Sequence, residues 1–256
     1  MPRVWACFNV YKEAATALLS VRSVFDFADI VLVIDGAYET FPREPNEAWW
    51  SDDGTIEIMD EQCRKVGMPL LYVRGLWKDE VSKRNKYLEI VPDNDWVLWI
   101  DGHEQFALLP GVAEKIKGMI ARDECDWFTV TLTDWQEHVG LIDITFEATP
   151  RLFRKVLGLH YKYNHYSLYD AEEKYFFHHY RKADLGEKQI RFLHMLRSRE
   201  RTRKQRQYYQ DMWEKVSGFE GEWICAKCNL HYKLSEGQVL KCPQCGASPY
   251  FPPDVP

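Results

Sequence analysis

No stretch of this chain holds the roughly 18 consecutive apolar residues of a membrane-spanning helix, so it offers no candidate for one. Positive charge is in deficit. Lys and Arg number 33 against 39 Asp and Glu, a net charge of −6, which argues against a chain that coats nucleic acid along its length. There is no internal repeat and no low-complexity tract, which excludes solenoids and repeat arrays. The opening Met1-Pro2-Arg3-Val4-Trp5 runs straight into a strand-like segment without a signal-peptide layout, and the expected location is cytoplasmic. Cysteines are too unevenly spread for a disulfide framework: Cys7, Cys63 and Cys125 stand singly, and the other four cluster near the C-terminus. What remains is an ordinary globular balance, 46% hydrophobic and 28% charged over 256 residues, ample for one large core and a small appendage.

The first half alternates strand and helix. Val4 to Phe8, Ile30 to Asp35, Pro69 to Val73 and Trp96 to Asp101 read as strands, and the continuous β-branched run of Ile30 to Asp35 suits a parallel strand covered on both faces. Between them the pattern predicts helices from about Glu13 to Phe25, from Thr55 to Val66 and from Asp79 to Val91, with another from Pro110 to Ala121 before a strand over Trp127 to Leu132. This alternation implies an open α/β sheet. Beyond Gly140 the rhythm breaks. Leu141 to Phe146 and Pro150 to Lys155 read as antiparallel strands, Asp170 as the cap of a helix to about Arg181, Gln189 to Met195 as a short strand, and Ser198 to Val216 as a charged helix. The expected domains are residues 1–217 and 218–256.

In open α/β sheets, ligands bind beyond the carboxyl ends of the strands. Polar groups gather there: Asn9 and Glu13 after the first strand, Asp35 after the second, and Asp101-Gly102-His103-Glu104 after the fourth. The two-residue period of extended chain puts Asp101 and His103 on one side, about 6–7 Å apart at the backbone, a spacing at which they can share a divalent cation. Gly102 between them admits close approach to the backbone. The long loop from Gly36 to Ser51 carries Trp49 and Trp50, which with Trp77 are candidates for stacking on sugar rings. Arg197 to Arg206 holds six cations and one acid, a pattern of solvated helix faces and of phosphate-gripping surfaces alike.

Cys225-x-x-Cys228, thirteen intervening residues and Cys242-x-x-Cys245 form two metal-binding knuckles. Four thiolates make a closed tetrahedral Zn²⁺ site, a zinc ribbon, with Lys227 and Lys241 offsetting its negative charge. A closed shell has no open position, so this metal is structural. The ribbon would lid the active site, join two copies or hold an acceptor.

The series Asn9, Lys12, Glu13; Val33-Ile34-Asp35-Gly36; Asp53-Gly54-Thr55; Arg84-Asn85; and Trp96 to Glu104 resembles the family 2 glycosyltransferases of the GT-A fold, particularly the small bacterial lipopolysaccharide-core type. The resemblance covers roughly residues 3–212. It implies an α/β GT-A (nucleotide-diphospho-sugar transferase) fold, a mixed sheet with helices on both faces. It also implies transfer of a sugar from a nucleotide-sugar donor to the hydroxyl of a glycan, lipid-linked or protein acceptor, with inversion. Glu13 and Asp35 would meet the base and ribose, Arg84 the diphosphate, and Asp101 and His103 a Mn²⁺ or Mg²⁺ ion on that diphosphate. A metal there neutralises charge on the leaving nucleoside diphosphate. His103 stands where the family has a second Asp, which shifts the preference toward metals softer than Mg²⁺.

Arg151-Leu152-Phe153-Arg154, Gly158 and His165 resemble the family's later stretch, and the His of Phe192-Leu193-His194 its last metal ligand. The family's general-base Glu, however, is replaced by Tyr166, a phenol that is a poor base near neutral pH. Asp170 is the nearest substitute, and Glu137 or Asp134 a more remote one. Two other functions fit the same residues. One is a zinc-ribbon adaptor that binds a nucleotide or glycan without turnover. The other is a metal-dependent phosphohydrolase or nuclease built on Asp101, His103 and Glu104, although Glu13 and Asp35 would repel a polyanion and make nucleic acid a poor partner.

Overall fold

The computed structural model describes residues 2–136, 140–146, 151–162, 167–186, 189–195, 221–224 and 231–234. The chain divides into two compact units, Met1–Arg197 and Ser198–Pro256. In the larger unit the strands β1 (Val4–Val10), β2 (Ile30–Asp35), β3 (Leu70–Arg74) and β4 (Trp96–Asp101) are parallel, with β1 between β2 and β4. The helices α1 (Ala14–Arg22), α2 (Thr55–Val66) and α3 (Glu80–Ile90) connect them. After β4 come β5 (Glu104–Leu108), α4 (Val112–Ala121), β6 (Trp127–Phe128), β7 (Val130–Gln136), β8 (Gly140–Phe146) and β9 (Leu152–Arg154). There follow β10 (His160–Tyr161), β11 (Leu168–Tyr169), α5 (Phe176–His179), β12 (Lys182–Ala183) and β13 (Ile190–His194).

The main sheet runs in the order β12-β6-β9-β4-β1-β2-β3, with β9 antiparallel to its neighbours β4 and β6. A second sheet, β5-β13-β7-β8, is also mixed. Alternate residues of the central strands explain the unbroken apolar runs. Val4, Ala6, Phe8, Val31, Val33, Leu98 and Ile100 belong to one buried cluster with residues of α1, α2 and α4. Trp5, Cys7, Leu32, Ile34, Val97 and Trp99 belong to another with Tyr87 and Leu88 of α3. Both faces are covered, so neither parity can be polar.

The helix boundaries follow their local chemistry. The Asp53 carboxylate accepts from both the amide and the hydroxyl of Thr55 at the start of α2, and Asp79 forms a reciprocal capping box with Ser82 at the start of α3.

Three expectations need correction. The stretch Trp127 to Leu132 is two strands, because the chain leaves the main sheet at Thr129 and joins the second one. Asp170 caps no helix: its carboxylate accepts from the amides of Glu172 and Lys174 and closes a turn, with Glu173 at a φ of 60°. Only Phe176–His179 is helical in that region, and Lys182–Ala183 pairs with β6 instead of ending a helix.

The smaller unit contains an antiparallel hairpin of β14 (Gly221–Ile224) and β15 (His231–Leu234), whose connecting segment carries Cys225 and Cys228. Cys225, Cys228, Cys242 and Cys245, on which a zinc ribbon is expected, and the Arg197 to Arg206 run lie outside the described residues.

Candidate functional site

Strand register brings the polar ends together. Asn9 pairs with Ile34 on one side and Asp101 on the other, and Val10 pairs with Asp35. Paired residues of parallel strands share a face, so Asn9 and Asp101 lie on the side covered by α3. The buried stripe of α3 is Glu80, Lys83, Arg84, Tyr87 and Leu88, a helical period filled at its N-terminal end by charges. Arg84 donates to Glu80 Oε1 at 2.7 and 3.2 Å and reaches Asp101 Oδ1 at 3.4 Å. Burial opposes the charge of Arg84, but Glu80 and Asp101 outweigh it and hold the guanidinium firmly protonated. Its guanidinium lies 3.6 Å above the Trp99 ring, and that of Arg151 lies 4.0 Å from the same ring. Lys83 donates from Nζ to the carbonyls of Val10 and Gly36, both at 2.7 Å, and so ties the ends of β1 and β2 together.

The Asp101–Glu104 turn is held from beneath by α1. Thr16 Oγ1 donates to the Gly102 carbonyl at 2.8 Å and Ser20 Oγ to that of Glu104 at 2.6 Å. Gly102 has no room for a side chain, since a Cβ would sit 2.9 Å from Val10 Cγ1 and 3.0 Å from Glu13 Cγ. The Glu13 side chain therefore packs directly beneath the turn. Glu104 is wholly buried, and its carboxylate accepts from Asp101 N at 2.9 Å and Arg151 Nη1 at 2.6 Å and lies 2.8 Å from His194 Nε2. Burial would raise its pKa, but Arg151, His194 and His103 hold it well below the usual carboxylate range. The rings of His103 and His194 are neighbours, 5.0 Å apart between centroids.

Asp35 occupies a different environment. It is fully buried and accepts from Ser51 Oγ at 2.6 Å, from the Ser51 amide and from Arg74 Nε at 3.2 Å. It therefore clamps the base of the Gly36–Ser51 loop. The loop returns against Gly36, at a φ of 126°, where a Cβ would be 1.8 Å from the Gly75 carbonyl oxygen. On this clamped loop Trp49 and Trp50 meet edge to face at 4.8 Å and are each 36% exposed.

Asn9, Arg84 and Asp101 thus stand together, with His103 and His194 side by side near Glu104. Asp170 stands apart in its bonding, since its side-chain partners, Glu172 N, Lys174 N and Tyr180 Oη, all lie within residues 170–180. Burial raises its pKa, but those hydrogen bonds win and hold it below the usual value, which suits a structural anchor better than a base. Glu137, His165 and Tyr166 lie outside the described residues, and so does the side chain of Asp134. Asn85 is a packing residue here: its amide group exchanges hydrogen bonds with the backbone of Tyr161 and fixes β10 to α3.

The sequence assigns no part to Lys83 or Trp99, places Glu104 only in the phosphohydrolase alternative, and marks Arg151 only as part of a resembling motif. The signal for Lys83 was its place in the helical series Glu80, Lys83, Arg84, Tyr87, which reads as a solvated face until the sheet is known to cover it.

No protein-family model and no curated protein sequence matches the chain. Solved structures do match. Staphylococcus aureus TarS has a TM-score of 0.53 at 14% identity, over 82% of this chain and 39% of that one. The TarS 1–349 fragment in complex with UDP gives the same score and identity, over 82% of this chain and 65% of that one. The fold is that of the GT-A glycosyltransferases. The Asp101 turn lies at the carboxyl end of β4, where open α/β sheets bind their ligands. The chain spans less than two thirds of either matched structure. No helix among the described residues is long and apolar enough to cross a membrane.

Proposed function

We propose that the chain is a glycosyltransferase that takes a sugar from a nucleotide-sugar donor and passes it to an acceptor hydroxyl with inversion. The observation that carries this reading is the meeting of Asn9, Arg84 and Asp101 at the ends of β1 and β4, within a GT-A fold, beside the His103–His194 pair. That TarS was solved with UDP adds support for a uridine nucleotide as the first donor to test.

Among the described residues, no three His, Cys, Asp or Glu side chains converge to hold a metal by themselves. Asp101 faces Arg84, and His194 Nε2 faces Glu104. A Mn²⁺ or Mg²⁺ ion bound here would draw on Asp101 and His103 and take most of its ligands from the substrate phosphates and water. Such an ion would draw negative charge from the departing diphosphate. The chain's own cations would act in the same sense: Arg84 lends its field to Asp101, and Lys83 ties the ends of β1 and β2 together beside it. Glu13, packed beneath the Asp101 turn, and Asp35, through the loop it clamps, would shape the base and ribose end of the site from behind. The Cys225-x-x-Cys228 and Cys242-x-x-Cys245 knuckles would hold a structural Zn²⁺.

The test is a thermal-shift panel of UDP, GDP, CDP and dTDP with and without Mn²⁺. A ligand present at ~100 times its Kd adds about 2.7 kcal/mol of stability. One nucleotide diphosphate should raise the Tm, more so with Mn²⁺. If all four leave it unmoved, there is no donor site. Metal analysis of the purified chain should give one zinc, lost on replacing Cys225 and Cys228.

One observation favours a second reading, a binder without turnover. Asp170, the nearest stand-in for the base, has its carboxylate engaged in a turn. Release of free sugar or its transfer from the donor that binds, abolished in Asp101→Ala, would rule that reading out.

A further inference from the structure

We propose that the outer edge of the main sheet is a self-association surface, where β3 pairs antiparallel with β3 of a second copy across a twofold axis at Tyr72. β3 ends the sheet order and has β2 as its one neighbour among the described strands. Pro69 O accepts from Val31 N and Gly75 N donates to Asp35 O, so both turn toward β2. Backbone groups alternate in direction along a strand, and those of Leu70, Tyr72 and Arg74 therefore point away from the sheet. Open edges are usually blunted by Lys, Pro or a bulge. β3 is Leu-Leu-Tyr-Val-Arg, with none of these within it. Its exposed apolar residues stand on opposite faces: Leu71, on the side of Val73, is 49% exposed, and Tyr72, on the side of Leu70, is 52% exposed.

The occupant follows from how this edge matches itself. With Tyr72 opposite Tyr72, Leu70 meets Arg74 and Leu71 meets Val73. The outward residues Leu70, Tyr72 and Arg74 then form the hydrogen-bonded pairs, and the pair between them is apolar. The charges on α2 agree with the same axis. Arg22 of α1 donates to Gln62, so the side of α2 turned away from α1 is the stripe Glu57, Asp60, Arg64. Arg74 Nη2 lies 3.8 Å from Glu57 Oε1, which sets the first turn of α2 level with the end of β3. From Arg74 back to Tyr72 is ~7 Å of strand, equal to about four to five residues of helix. The axis therefore passes α2 near Glu61, and Arg64 of one copy comes within about one helical turn of Glu57 of the other. Arg64 already pairs with Asp60 of its own helix, and Glu57 stands acidic in the first turn against a basic last turn. Two such helices meeting antiparallel set opposite charges together. This complementarity is isologous, and a second copy of the chain supplies it in full.

The test is sedimentation velocity of the full chain from about 2 to about 200 µM, the range in which a contact of one short strand and one helix face associates. The wild type should pass from monomer to dimer across that range, and a monomer throughout overturns the proposal. Tyr72→Glu sets two carboxylates against each other on the axis and should weaken the dimer at least ~10-fold, in a chain shown by its far-UV circular dichroism melt to be folded. A dimer unmoved by this change forms elsewhere and also overturns the proposal. Amide hydrogen exchange of the wild type, which needs no variant to fold, locates the contact. At the dimeric concentration the amides of Leu70, Tyr72 and Arg74 should exchange more slowly, while those of Leu71 and Val73, turned toward β2 in either state, should change little. A dimer that leaves those three amides unchanged refutes the edge pairing. Protection of the same amides in the monomer would mean that the chain covers its own edge, and would exclude the second copy.

Discussion

Asn9 offers the sharpest test of whether the strand ends are held for a ligand at the expense of stability. Its side chain is only 7% exposed, and neither Oδ1 nor Nδ2 has a hydrogen-bond partner. Its neighbours across the sheet are Ile34 and Asp101. A buried amide without partners costs about 1–3 kcal/mol in protein mutational data. Leucine is close in size and carries no polar atom, so Asn9→Leu should stabilise the fold by about 1–2 kcal/mol, part of the gain being lost to the difference in shape. Each kcal/mol moves the Tm of a chain this long by about 2–4 °C, so the predicted rise is ~2–8 °C. Calorimetry and urea titration followed by far-UV circular dichroism measure it independently, and Asn9→Ala, which leaves a cavity, is the control that should not gain. The same Asn9→Leu protein should lose the stabilisation by nucleotide diphosphate. A Tm that falls by 2 °C or more would mean that the Asn9 amide is satisfied in solution, and the argument from unmet hydrogen bonds would be refuted.

Gly102→Ala should destabilise the protein by about 1–3 kcal/mol in urea titration, because the new methyl group meets Val10 Cγ1 and Glu13 Cγ at 2.9–3.0 Å; an unaffected midpoint would show that the turn can yield. The thiols of Cys63 and Cys125, pushed up to about 12 and about 11 chiefly by burial, and that of Cys7, also raised by burial, should resist iodoacetamide at pH 8 in the native protein and react once it is unfolded, as read by intact mass. Burial raises the pKa of Asp126, but hydrogen bonds from Arg181 and the charge of Arg154 lower it further, so its folded value lies below the unfolded one. Its contribution is therefore present above about pH 4 and lost as pH falls through the folded value. Asp126→Asn should flatten the acid limb of stability below about pH 4, and an unchanged limb would show that other carboxylates govern it.

The parts of the fold legible in the sequence are those whose signal is local. Strands β1, β2 and β4 announce themselves as unbroken apolar runs because both faces of the sheet are covered. The start of α2 is written in Asp53-Gly54-Thr55 and that of α3 in Asp79 and Ser82, where side chain and amide lie within three residues of each other. The acids at the strand ends were legible for the same reason: they close runs that otherwise admit no charge. Asp170 shows the limit of local reading. An acid that can cap a helix can also close a turn, and the choice depended on Tyr180 and the β10–β11 pair around it.

The sequence alone therefore determined the strand–helix alternation and the place of Asn9, Asp35 and Asp101 on it, because strand ends are set by neighbours along the chain. Only the tertiary structure decided which of those groups act together. Asp35 was drawn into clamping a loop by Ser51 and Arg74, while Asp101 was left to Arg84. The pairing of β5 with β13 set Glu104 against His194, 90 residues away. Contacts over such separations arise from strand register and helix packing, and no local pattern of residue types encodes them.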